Sequence, residues 1–369
     1  MPYPKPRHRR TQSRSAATLG ELLDIDIEQL FDDRMRWDGQ AVRVDDGALP
    51  GLQRLGFVRS VRTPQFEGIT FHEVLCKSAL NKVPAASMLP FRYTVNGYRG
   101  CSHACRYCFA RPTHEYLEFD SGTDFDTQVV VKTNVAEVLA RELRRRSWTR
   151  ETVALGTNTD PYQRAEGRYA LMPGIIAALS DSGTPFSILT KGTLLRRDLP
   201  QITEASHRVD VSVAVSLAVG DPELHRAVEP GTPSPEARLG LIAAIRDAGL
   251  SCHVMVAPVL PYLTDSVEHL DDLLGRIAVA GANSVTVFGL HLRGTTRGWF
   301  MSWLQREHPE LLNDYQRLYR RGAYLPQDYR DTLRRRVAPL VARHGLARTM
   351  PVPASATVPE PAVAQPTLF

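Results

Sequence analysis

Cys101-Ser-His-Ala-Cys105-Arg-Tyr-Cys108 places three of the chain's five cysteines within eight residues, in the spacing C-x3-C-x2-C. A thiolate is a soft, anionic ligand, and three on one tight loop can converge on a single face of an iron–sulfur cube. The number three is informative. A closed structural zinc site takes four protein ligands, and an electron-carrying 4Fe–4S cluster normally takes four cysteines. Three thiolates leave one iron open to a substrate or cofactor. Two other readings stand beside this one: His103 could complete a Cys3His zinc knot, or two of the cysteines could form a disulfide. Sparse, odd-numbered cysteine usage argues against a disulfide framework. So does an N-terminus, Met1-Pro-Tyr-Pro-Lys5-Pro-Arg7-His-Arg-Arg10, without the apolar stretch of a secretory signal.

Outward from the loop, short apolar runs alternate with amphipathic stretches, the pattern of a parallel α/β sheet. Strands are expected over 91–95, 152–155, 186–190, 211–216, 253–257 and 285–290. Helices are expected over 135–146, 173–182, 196–205, 236–248 and 267–280, with Gly183 and Gly249 as C-terminal stops after two of them. The cysteine loop follows the first strand of six β/α units, and in such barrels reactive groups gather at the C-terminal ends of the strands.

The wider run Asn96-Gly-Tyr-Arg-Gly-Cys101-Ser-His-Ala-Cys105-Arg-Tyr-Cys108-Phe-Ala-Arg111 resembles the radical S-adenosylmethionine (SAM) superfamily, in the branch that contains spore photoproduct lyase and proteins often labelled "DNA repair photolyase". The resemblance implies a partial (β/α)6 TIM-type barrel, with Cys101, Cys105 and Cys108 as ligands of a 4Fe–4S cluster and SAM chelating the fourth iron. It implies reductive cleavage of SAM to a 5′-deoxyadenosyl radical, which abstracts hydrogen from a substrate. Tyr107, the aromatic before the last cysteine, would pack near the adenine. Gly156-Thr-Asn-Thr-Asp-Pro-Tyr-Gln163 follows the second strand, where the family contacts the SAM amino group. Thr159 and Asp160 would hold that ammonium, with Asn158 and Thr157 adjacent and Gln163 and Glu166 as lesser candidates. By the same resemblance Lys191 reaches the SAM ribose or carboxylate, and Ser216 lies beside the ribose or methionine. Arg226 and Glu229 form an Arg–Glu pair in the loop after the fourth strand. Asp265 is expected as the N-cap of the helix after the fifth, and His291 is a substrate-side candidate. The lyase returns a hydrogen atom from a cysteine just before its Ser/Thr-Asp, where this chain has Asn158. The resemblance therefore covers the radical machinery and not that donor.

Around this core (89–295) the sequence divides into a basic tail (1–17), a small β-rich region (18–88) with a helix over 19–31, a helical extension (296–349) and a Pro/Ala-rich tail (350–369). The extension mixes Trp299, Trp303, Tyr315, Tyr319, Tyr324 and Tyr329 with many arginines, including Arg334-Arg335-Arg336. It reads as helices closing the barrel's open side, or as a stacking and phosphate-binding surface for nucleic acid. A net charge of +5 permits phosphate binding without demanding it. No apolar run approaches the ~18 residues of a membrane span, and reduced thiols with an oxygen-sensitive cluster fit the cytoplasm. A one-electron reductant of flavodoxin or ferredoxin type is the implied partner. The alternatives carried forward are a nucleic-acid repair or modification enzyme, and an iron–sulfur redox or binding protein without turnover.

Overall fold

The computed structural model describes residues 50–84, 89 and 91–347. The two tails' expected ranges 1–17 and 350–369 and the helix expected over 19–31 lie outside the described residues. The chain begins with α1 (Pro50–Arg54), β1 (Phe57–Val61), β2 (Thr70–Val74), β3 (Leu80–Lys82), β4 (Tyr93–Val95) and β5 (Tyr98–Arg99). After the cysteine loop come a 3-10 segment (Arg111–Leu117), α2 (Thr123–Thr127), β6 (Gln128–Lys132), α3 (Val135–Leu143) and β7 (Val153–Leu155). Then follow α4 (Glu166–Tyr169), α5 (Leu171–Asp181), β8 (Phe186–Thr190), α6 (Leu195–Ser206) and β9 (Val211–Ser216). The core closes with α7 (Pro222–Val228), α8 (Pro235–Asp247), β10 (Cys252–Val259), α9 (Val267–Val279) and β11 (Ser284–Gly289). Three more helices, α10 (Gly294–Glu307), α11 (Leu312–Leu318) and α12 (Gln327–Arg343), end the described chain.

The main sheet is open and seven-stranded, ordered β11-β10-β9-β8-β7-β4-β3. Six of these strands, β4 and β7 to β11, run parallel, and β3 adds an antiparallel edge to β4. This is the expected partial barrel. Its strands over 186–190 and 211–216 stand at the expected bounds, and the other four shift by one or two residues. Buried on both faces, the strands read as continuous apolar runs. The helices bury one stripe each: Ile175, Ile176 and Leu179 of α5, Leu241, Ile242 and Ile245 of α8, and Leu270, Leu273, Leu274 and Ile277 of α9 pack on Ile188, Val213, Val215, Val254 and Val256. Each such side chain contributes roughly 1.5–3 kcal/mol on burial.

A second, four-stranded sheet, ordered β1-β2-β6-β5, differs from expectation. The β-rich region before residue 89 is tied into the core: β2 pairs with β6, and β3 pairs with β4. The sequence signal for β6 is the fully buried run Val129-Val130-Val131, which is short enough to pass for a loop edge. This sheet matters to the site because β5, just before Cys101, is held by β6.

The helices after residue 293 close the open side of the barrel. Phe300, Trp303, Tyr315 and Tyr319 are buried with Leu260, Leu290 and the cysteine-loop residues Cys105 and Tyr107 in one apolar cluster. Arg334 and Arg336 pair with Asp331 and Asp265 at 2.8 and 3.1 Å. Arg335 donates to Thr332 at 3.0 Å. Burial of Phe300, Trp303, Tyr315 and Tyr319 fits the barrel-closing reading, while Trp299, Tyr324 and Tyr329 are half-buried. No described helix is long and apolar enough to cross a membrane.

His253 on β10 yields a stability prediction. Its two ring nitrogens lie 2.8 and 2.9 Å from Ser284 Oγ and Thr286 Oγ1 on β11. Burial pulls its pKa down to about 4. The unfolded chain therefore takes up this proton first, near pH ~6.5. Stability tied to the neutral ring is complete above that pH and is lost as pH falls toward 4. In denaturant titrations at pH 7 and 4.5, His253→Gln should lose less stability on acidification than wild type. Equal losses would contradict this.

Candidate functional site

The cysteine loop lies at the C-terminal end of the parallel strands and is held from every side. Cys101 N donates to Phe125 O at 2.9 Å. Gln163, fully buried, accepts from Ser102 N at 3.0 Å and donates to Gly100 O at 3.0 Å. Arg106 N donates to Val228 O, and Gly231 N donates to His103 O. Thr296 Oγ1, on α10, donates to Cys108 O at 3.0 Å. A Cβ on Gly231 would stand 2.0 Å from Ser102 O, so only glycine lets the loop at 229–232 approach this closely. Gln163 is therefore a brace for the loop. Glu166 is another structural group, accepting from Leu171 N and Met172 N at the start of α5 and from Arg197 of α6.

All three cysteines are free thiols, with Cys101 and Cys105 buried and Cys108 partly so. Cys101 packs with Cys108, and Cys105 packs with Cys108 in a neighbouring cluster. Burial holds the Cys105 thiol well above its ordinary range and pushes Cys108 up to about 11, with Lys191 and Arg111 opposing. Such thiols stay protonated until a metal centre replaces the proton. Among the described residues, no group of three or more His, Cys, Asp or Glu surrounds a point fit for a single ion. His103 lies between Asp160 and Cys101, with its Nδ1 3.4 Å from Asp160 Oδ2. Cys252, which opens β10 at the sheet's far end, is a core thiol that burial pushes up to about 12.

Asp160 is engaged by protein donors on both carboxylate oxygens. One carboxylate oxygen accepts from Thr190 Oγ1 at 2.5 Å and Tyr162 N at 2.9 Å. The other accepts from Lys191 N at 2.6 Å and faces His103. A carboxylate offers about four lone-pair sites, so this one has none left for an ammonium. Burial opposes both charges, yet the pair holds them: Asp160 falls to about 2 and His103 rises to about 10. Thr159 is likewise buried and donates to Tyr98 O at 2.9 Å. The residue beside them is the one left open. Asn158 Oδ1 is buried with no hydrogen-bond partner, as is Asn96 Oδ1 at the end of β4. Gly156 makes the turn into this segment: its φ is +88° and a Cβ would meet Leu189 O at 1.9 Å.

The remaining expected residues meet at the ends of β8 and β9. Lys191 Nζ donates to Ser216 Oγ at 2.7 Å and lies 5.8 Å from the Tyr107 ring centre. The Tyr107 hydroxyl donates to Glu229. Glu229 is fully buried and pairs with Arg238 at 2.5 Å, whose other nitrogen donates to Ser216 O at 2.9 Å. Burial disfavours the Glu229 carboxylate, but Arg238 and Lys191 bring it down to about 2. Arg226 is exposed, so the expected Arg226–Glu229 pair is replaced by Arg238–Glu229. Arg238 had a sequence signal, because it shares the buried face of α8 with Leu241, Ile242 and Ile245. Asp265 caps no helix; Ser266 accepts from His269 N instead, while Asp265 accepts from Tyr262 N and Arg336. His291 lies among Phe288, Phe109 and Tyr324, and burial lowers its pKa to about 4.

Comparison with known proteins gives the family and the fold. The family described as the Radical SAM superfamily matches residues 95–274. An uncharacterized protein of Mycobacterium tuberculosis (strain H37Rv) is 79% identical over 318 residues, 85% of this chain and 94% of the relative. An uncharacterized protein of Methanocaldococcus jannaschii is 27% identical over 202 residues, 54% of this chain and 70% of the relative. A solved spore photoproduct lyase, complexed with dinucleoside spore photoproduct, shares the fold at a TM-score of 0.56 and 13% identity, covering 85% of each chain.

Proposed function

Because this chain belongs to the radical SAM superfamily, we propose that Cys101, Cys105 and Cys108 hold its 4Fe–4S cluster and that Tyr107, Asn158, Lys191 and Ser216 bind SAM. It is a radical SAM enzyme. One observation carries the residue assignment. Three free thiols, two buried and one partly so, sit on a loop braced by four other segments, beside an unpartnered buried acceptor at Asn158. The donor set fits the cluster, and the open acceptor fits an ammonium. When bound, cluster and SAM together supply the reductive cleavage that yields methionine and a 5′-deoxyadenosyl radical, with the electron drawn from a carrier of flavodoxin or ferredoxin type.

The protein's own groups bind, orient and exclude water. Asn158 Oδ1 accepts from the SAM ammonium. Lys191 offers its cation to the SAM carboxylate or ribose from a position fixed by Ser216. Tyr107, tied through its hydroxyl to the buried Glu229–Arg238 pair, presents its ring to the adenine. Asp160 acts by holding His103, Thr190 and the Lys191 main chain in place rather than by touching SAM. His291 and its aromatic neighbours line the substrate side. The lyase of similar fold is complexed with dinucleoside spore photoproduct, and a nucleic-acid substrate is the class that this likeness favours.

The test is anaerobic: reconstitute with iron and sulfide, reduce with dithionite and add SAM. 5′-Deoxyadenosine should form, and Lys191→Met should raise the SAM concentration required. An intact, reduced cluster that forms none would overturn the enzyme reading.

A further inference from the structure

Arg111 stands three residues after the last cysteine and is fully buried. Its Nε and Nη2 both donate to the main-chain carbonyl of Cys105, at 3.2 and 3.0 Å. Nη1 donates to Gly122 O at 2.7 Å, and Nη2 meets both carboxylate oxygens of Asp126 at 2.8 and 3.0 Å. The guanidinium lies over the rings of Phe125 and Trp299, at 5.3 and 4.7 Å to the ring centres. Trp299 comes from α10, the same helix whose Thr296 holds Cys108 O. One side chain thus joins the cysteine loop, the segment at 121–126 and the C-terminal helices.

Holding a carbonyl does not require a charge. A neutral amide or a main-chain N–H would do it without the desolvation that burying an ion pair costs. A guanidinium differs in two ways: its planar fork reaches three acceptors at once, and its charge cannot be titrated away. Charges and hydrogen bonds around cysteine ligands are among the determinants of iron–sulfur potential. The reduced cluster with its thiolates carries one more negative charge than the oxidised one, so a nearby buried cation favours reduction and a nearby anion opposes it.

We propose that Arg111 is a positioning residue for the cluster: it holds Cys105 in place through the main-chain carbonyl, and its charge, balanced by Asp126, raises the reduction potential. This rests on the cluster assignment made above. The two partners must then act in opposite directions. Arg111→Gln removes the cation and leaves Asp126, so the potential shifts negative. Asp126→Asn leaves the cation uncompensated, so it shifts positive. Arg111→Lys keeps the charge and loses the fork, so iron bound per chain falls while the potential of the clusters that do assemble stays near wild type.

The experiment uses the full chain, reconstituted anaerobically without SAM. It reads iron per chain and an EPR-monitored redox titration for wild type, R111Q, R111K and D126N. Opposite shifts in R111Q and D126N support the proposal. Unmoved potentials, or shifts of the same sign, overturn it, because a merely structural brace would give no sign reversal. Should R111Q not fold, the D126N titration decides alone, and an unchanged potential there overturns the charge role. If wild type itself assembles no cluster, the functional assignment fails and takes this proposal with it. If only the variants' potentials disagree, the functional assignment stands.

Discussion

Cys105→Ala abolishes SAM cleavage, with 5′-deoxyadenosine falling to background, while the chain stays folded. Two thiolates do not hold three irons of a cube, so the open fourth iron on which SAM would bind is not presented. The fold survives for a separate reason. Cys105 is one small side chain in the apolar cluster with Tyr107, Val228 and Phe300, and its loss costs about 1 kcal/mol, the centre of the range for point substitutions. The loop around it is braced by Gln163, Gly231, Arg111 and Thr296, none of which uses the thiol. Iron content, EPR of the reduced sample and product chromatography check this together with far-UV circular dichroism. Cleavage at the wild-type level by a folded Cys105→Ala protein would sink the cluster assignment.

The second large effect is on stability. Asp160→Ala takes away the buried carboxylate beside His103 and removes the acceptor of Thr190 Oγ1, Tyr162 N and Lys191 N. Breaking a buried pair from one side costs about 3–5 kcal/mol. Asp160→Asn keeps the acceptor oxygen and loses the charge, so it should fall between Ala and wild type. Denaturant unfolding of the cluster-free protein under reducing conditions measures both. A loss below about 1 kcal/mol for Asp160→Ala, the size of an ordinary substitution, would mean that the carboxylate is not a structural anchor and would restore it as a ligand for the SAM ammonium.

Much of the fold was legible because it is written in local patterns. The parallel strands are continuous β-branched and apolar runs, and the helices between them carry one apolar stripe each. Both periodicities survive without knowledge of the partner. The edge of the core was not legible. β2 and β6 are more than fifty residues apart and pair only because the chain returns. At the site, residue types were readable and partners were not. Glu229 was singled out, but its cation is Arg238 rather than Arg226. Asp160 was singled out, but three hydrogen bonds and His103 fill its oxygens.

The sequence alone determined the chemistry on offer: three thiols at C-x3-C-x2-C spacing after the first of six β/α strands, a number and placement set by covalent order. Only the tertiary structure decided how each charge is spent. Whether a buried carboxylate is free for a ligand depends on which donors the fold brings within hydrogen-bond distance. For Asp160 those donors come from Tyr162, from the end of β8 and from His103 of the cysteine loop, which meet only when the sheet has formed.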